Sequence, residues 1–142
     1  MQINHDMIMT RLKRLENCIF KLKKIAQNSK QEFIKNDDLQ DIAERNLQLA
    51  AQCCIDIGNH IISKQKISFP EGYADIFSKL FEGGIINEAT EQKMSDIAGF
   101  RNILVHDYLK ISYEIVYDNL HDLDVFINFA RQINSFITHE KS

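Results

Sequence analysis

The sequence predicts an all-α fold, an antiparallel bundle of four to five helices forming a single domain over residues 1–142. Only five glycines and one proline punctuate the 142 residues, too few for the turns of a strand-rich protein. Apolar residues make up 44% of the chain, enough for one core, and they recur at steps of three and four. No uninterrupted apolar run exceeds three residues, whereas a membrane-spanning helix needs roughly 20. The start of the chain lacks the layout of a secretory leader. A cytoplasmic protein with no membrane partner is therefore expected.

Ile8, Leu12, Leu15, Ile19, Leu22 and Ala26 form one stripe of a first helix beginning near Asp6. Arg11, Lys13, Arg14, Lys21, Lys23, Lys24 and Lys30 oppose only Asp6 and Glu16 here, in a chain of net charge −3. This is either a solvated charged face or a local approach surface for RNA or an acidic partner. A polar break over residues 27–38, with Asn36 or Asp37 as N-cap, leads into a second helix with the stripe Ala43, Leu47, Ala50, Cys54, Ile57, Ile61. Beside it runs a polar stripe, Arg45, Gln48, Gln52, Asp56, Asn59, flanked by Leu49 and Ile55. It reads as an exposed edge or as the polar wall of a groove or dimer interface.

Residues 68–72 are turn chemistry, followed by a short amphipathic helix from Tyr73 to Glu82 that Gly83 and Gly84 terminate. Asn87 then caps a helix carrying Ala89, Met94, Ile97, Ala98 and Leu104, ending between residues 106 and 110. Gly99 inside that helix costs about 1 kcal/mol relative to alanine, so it is expected to mark a close helix contact. Ser112 caps a last helix with Val116, Leu120, Leu123, Ile127, Ala130, Ile133 and Ile137 at the same spacing.

Several kinds of site are missing. There is no glycine-rich phosphate loop, no G-x-S-x-G elbow and no H-E-x-x-H. His5, His60, His106, His121 and His139 lack metal-ligand spacing, and Cys18, Cys53 and Cys54 are odd in number and unpaired in pattern. No metal or cofactor is expected, and the cysteines read as reduced core fillers.

What remains is the string Arg101-Asn102-Ile103-Leu104-Val105-His106-Asp107-Tyr108. An Arg-x-x-x-x-His pair arises by chance about 0.2 times in such a chain, and adding the tyrosine lowers this to about 0.005, so the full string is moderately specific. RNA is cut without metal when a base removes the 2′-hydroxyl proton and a cation stabilises the charge gathering at phosphorus. Imidazole, titrating at about 6.5, suits the first task and guanidinium the second. Residues five apart on an ideal helix, however, lie about 140° apart around its axis. Either the helix ends before His106 or a second subunit completes the site, with Arg45, Gln48 or Asp56 facing the same cleft. Asn102 shares the face of His106 and could orient its ring. Without any family in view, the string reads more readily as an ion-paired Arg101 and a helix-end cap at His106.

The string resembles that of the HepT toxins of the HEPN superfamily, whose R-x4-H-x-Y pattern Arg101, His106 and Tyr108 match. Residues 44–50 and 54–62 resemble the family's second-helix signature, and the resemblance spans roughly residues 6–138. It implies a metal-independent endoribonuclease toxin that acts as a homodimer, the two motifs lining one cleft. Arg101 and His106 would be catalytic and Asn102 supporting. It implies a nucleotidyltransferase antitoxin as partner, which transfers AMP to Tyr108 and so fills the cleft with negative charge. Helical proteins of this kind have also been read as non-catalytic substrate-binding subunits of two-component nucleotidyltransferases, and helices alone do not separate the two.

Overall fold

The computed structural model describes residues 2–141 and is all-α, with no strand among the described residues. Among the described residues seven helices replace the expected four to five: α1 (His5–Ile25), α2 (Lys30–Ile34), α3 (Asp37–Lys64), α4 (Tyr73–Glu82), α5 (Glu88–His106), α6 (Tyr113–Asn119) and α7 (Asp124–Lys141). A single 3-10 turn, Tyr108–Lys110, joins α5 to α6. No described helix is long and apolar enough to cross a membrane.

The caps expected at Asn36, Asn87 and Ser112 are in place, and Asn4 is a further cap that a start near Asp6 does not anticipate. Asn4, Asn36, Asn87 and Ser112 each accept a backbone N–H with the side chain, at the starts of α1, α3, α5 and α6. α1 and α3 run antiparallel, since Asn4 meets His60 at one end while Arg11, later in α1, meets Asp56, earlier in α3. The Asn4 N–H donates to His60 Nε2 at 2.9 Å, a bond that requires neutral imidazole. Burial, then the Lys64 and Arg11 charges, hold His60 below the usual imidazole range. The tie therefore contributes in full above pH about 6.5 and is lost as pH falls through the depressed value.

Two expectations about element boundaries are corrected. The polar break contains α2, opened by an N-cap in which Ser29 Oγ accepts from the Glu32 N–H and donates to the Glu32 carboxylate. Phe33 on that short helix is fully buried, and the buried Gln40 amide donates to the Phe33 and Ile34 carbonyls at its end. The last helix is in fact two. The N–H groups of Leu120, His121 and Asp122 bond back three residues, tightening the chain, and the Leu123 carbonyl opens the next helix. Asn119, Asp122 and Asp124 at this break are weak helix formers. The break turns α7 so that Leu123, Phe126, Phe129, Ile133 and Ile137 stay buried.

Gly99 is the third correction: it is exposed, and a Cβ there would meet nothing within 4 Å. The close contact is at Gly58, where a Cβ would lie 2.5 Å from Ile76 Cγ2 and 3.2 Å from Leu80 Cδ1. α4 therefore packs directly on the α3 backbone. Overpacking costs about 1–3 kcal/mol and helix propensity returns about 1 kcal/mol. Gly58→Ala is thus expected to lower urea-unfolding stability by about 1 kcal/mol, while Gly99→Ala should raise it by a similar amount. Equal effects of the two substitutions would contradict this account of the α3–α4 contact.

Candidate functional site

α5 is pinned at its start, where the Asn87 N–H donates to Gln132 Oε1 at 2.7 Å and Gln132 Nε2 donates to Thr90 Oγ1 at 2.7 Å. Met94, Ile97, Ala98 and Leu104 bury one face. That rotation leaves Arg101 half-buried toward α3 and α4, while Asn102, Ile103 and His106 are exposed.

The guanidinium is held on several sides. Arg101 Nη2 donates to Gln52 Oε1 at 2.9 Å, Nη1 donates weakly to Asn102 Oδ1 at 3.4 Å, and Cζ sits 5.0 Å from the centre of the Tyr73 ring. Gln52 in turn donates to Asp56 Oδ1 at 2.8 Å, and Asp56 Oδ2 lies 3.5 Å from Arg11 Nε. The row Arg101–Gln52–Asp56–Arg11 thus crosses from α5 over α3 to α1.

Its order has an electrostatic consequence. The carboxylate is neutralised by Arg11, and a neutral amide separates it from Arg101. Among the described residues no carboxylate pairs with Arg101, and its Nε–H is buried without an acceptor. Leaving a buried donor unmade costs about 1–3 kcal/mol. The chain therefore holds a positive charge in a fixed orientation that no carboxylate among the described residues neutralises.

His106 is the last residue of α5, because the Asp107 N–H still bonds to the Ile103 carbonyl at 3.0 Å. The helix does not end early, so the angular separation of about 140° between Arg101 and His106 stands within one chain. The Asn102 amide oxygen faces Arg101 rather than His106. Tyr108 lies in the 3-10 turn, 66% exposed, beside Leu109 at 89% and Ile103 at 41%. Exposed apolar groups clustered at this end suit an interface.

Of the three α3 residues expected to face the site, only Asp56 connects to Arg101, through Gln52. Arg45 lies with Lys21, Lys24 and Asp41 along a separate groove between α1 and α3. Ile55, read as a flank of the polar stripe, is 1% exposed and belongs to the core. Tyr73 and Arg11 went unseen: no spacing links Tyr73 to the motif, and Arg11 is one of seven cations near the chain start. The i, i+4 pair Gln52 and Asp56 on one helix face was the available signal.

Cys18, Cys53 and Cys54 are buried and free. Burial pushes the Cys53 thiol up to about 11 and raises the other two, so none is a ready nucleophile. Among the described residues no group of three or more His, Cys, Asp or Glu side chains is placed to hold a metal ion.

A family model described as Ribonuclease HepT-like matches residues 15–133. The chain is 30% identical over 131 residues to the mRNA nuclease HepT of Shewanella oneidensis, covering 89% of this chain and 98% of that one. It is 32% identical over 131 residues to the tRNA nuclease HepT of Aphanizomenon flos-aquae, covering 92% and 89% of the two chains. Among solved structures, the tri-AMPylated Shewanella oneidensis HEPN toxin in complex with MNT antitoxin superposes with a TM-score of 0.85 at 29% identity, covering 93% of this chain and 99% of that one.

Proposed function

The chain belongs to the HepT-like ribonuclease family, and from that membership we propose that it is a metal-independent endoribonuclease toxin restrained by a nucleotidyltransferase antitoxin. The observation that carries the proposal is the unpaired, oriented guanidinium of Arg101, placed five residues before an exposed imidazole. A purely structural arginine in a half-buried position would be expected to face a carboxylate. Here the nearest one on α3 is held off by Gln52 and bound by Arg11.

The reaction needs nothing beyond these groups and RNA. His106 takes the proton from a 2′-hydroxyl, the oxygen attacks the adjacent phosphorus, and the bond to the 5′-oxygen breaks. The proton taken up by His106 is returned to the leaving oxygen, giving a 2′,3′-cyclic phosphate and a 5′-hydroxyl. Arg101 stabilises the extra charge on the phosphoryl oxygens, an effect larger in the transition state than in the ground state. Asn102 supports the motif by its bond to Arg101. Two chains paired through the exposed α5 end would supply the two groups from opposite sides of one cleft.

Restraint follows from Tyr108. Its exposed hydroxyl attacks the α-phosphorus of ATP held by the partner, and pyrophosphate leaves. The tyrosyl phosphodiester then pairs with Arg101 and repels RNA.

Purified wild type is expected to cut RNA in the presence of a chelator and to leave cyclic-phosphate ends, with His106→Ala inactive. Co-expression with the nucleotidyltransferase should raise the intact mass by AMP units, and Tyr108→Phe should abolish that rise while cleavage persists. Wild type that neither arrests growth nor cuts RNA would leave the bundle as a binding subunit. An unchanged mass shift in Tyr108→Phe would assign the acceptor elsewhere.

A further inference from the structure

A cavity of about 320 Å³ opens beside Arg101, where the end of α3 meets the loop entering α4. Asn59 forms one wall, Phe69, Pro70 and Glu71 come from the loop, and Tyr73 and Ile76 come from α4. Tyr73 is shared, because the same ring carries the Arg101 guanidinium at 5.0 Å. Phe69 is 87% exposed. From this juxtaposition we infer that the cavity is a subsite for an unpaired nucleobase of the RNA, next to the phosphate bound by Arg101. Phe69 is its stacking face and the Asn59 amide reads the base edge. The inference rests on the nuclease reading and adds the element that selects where RNA is cut.

The lining decides the ligand class. No lysine, arginine or histidine borders the cavity and one carboxylate does, so it disfavours a phosphate and suits a neutral ring carrying N–H donors. Unpaired bases of single-stranded RNA bind by stacking on aromatic side chains and by hydrogen bonds along their edges. Asn59 is exposed and its amide makes no hydrogen bond to the described residues, leaving both donor and acceptor open for such an edge. On the loop that presents Phe69, Ile67 packs against the core. Lys66 adopts a left-handed conformation, φ 57°, just past α3, and the Glu71 N–H donates to Asp75 Oδ2 at 2.9 Å. A large aromatic ring is thus displayed to water one wall away from the guanidinium.

The test uses the full-length protein and a short fluorescein-labelled, single-stranded 2′-O-methyl RNA, which presents bases and phosphates but cannot be cut through its blocked 2′ oxygens. Phe69→Ala should weaken binding by anisotropy about tenfold, and Phe69→Trp should restore it. Moving an abasic residue along the RNA should weaken wild-type binding at one position by a similar factor and add nothing further in Phe69→Ala. Unchanged affinity in Phe69→Ala, or losses from the two changes that simply add, would overturn the subsite. So would unchanged RNA affinity accompanied by a changed sedimentation coefficient or lost nucleotidyltransferase binding, which would make Phe69 a protein contact. If wild type shows the abasic signature yet cuts no natural RNA, the nuclease reading fails and the subsite stands.

Discussion

Arg101→Ala is expected to lower RNA cleavage about 10²–10³-fold at saturating substrate, the range found when one preorganised donor to a developing oxyanion is removed, or about 2.7–4 kcal/mol. Arg101→Lys keeps the charge but loses the planar fork that fits two phosphoryl oxygens, so it should recover only part of this. The more discriminating variants are at Gln52. Gln52→Leu removes the 2.9 Å bond that orients the guanidinium and should lower kcat about tenfold with a smaller change in KM, since orientation matters most in the transition state. Gln52→Glu keeps shape and acceptor but places a carboxylate against Arg101. A charged partner there competes with the RNA phosphate, so Gln52→Glu should be more damaging than Gln52→Leu and should raise KM as well. Single-turnover rates across substrate concentrations separate the two effects. Full activity in Gln52→Glu would refute the idea that the α3 amide keeps Arg101 free for an anion.

That arrangement was only partly legible in the sequence. The apolar stripes of α1 and α3 and the asparagine caps follow from local chemistry, and these elements appeared where periodicity put them. α2 was overlooked because its five residues are too few to show a period, though the Ser29 N-cap was readable. The α6–α7 break was hidden because the three-four rhythm of apolar residues runs through it unchanged. Gly99 and Gly58 show the limit most clearly. Both are helical glycines, and only the neighbouring element tells which one accommodates a close contact. At the site, the motif named Arg101, His106 and Tyr108 because they are neighbours in sequence. The groups that hold Arg101 come from three other helices: Gln52 on α3, Tyr73 on α4 and, through Asp56, Arg11 on α1. Hydrogen bonds between residues 49 positions apart leave no trace in one unaligned chain.

The continuation of α5 through His106 carries the last prediction. With a separation of about 140° around the helix axis, one chain cannot aim both side chains at a single phosphorus, whereas two chains related by a two-fold axis can. If Arg101 of one protomer works with His106 of its partner, a dimer mixing Arg101→Ala and His106→Ala chains has one composite site in which both groups are wild type. The other composite site lacks both. Random pairing makes about half of the dimers mixed, so two inactive preparations, unfolded and refolded together, should regain about a quarter of wild-type cleavage, by the isologous symmetry of such an interface. Sites built within a single chain would regain nothing, since every chain in the mixture lacks one group. The control is Ile103→Asp, which places a charge in the exposed apolar patch beside His106 and should yield monomers by sedimentation. Such monomers should be inactive with both catalytic side chains intact. Active monomers, or a mixture that stays dead while mixed dimers are demonstrably present, would locate the whole site within one protomer and require α5 to unwind around His106 when RNA binds.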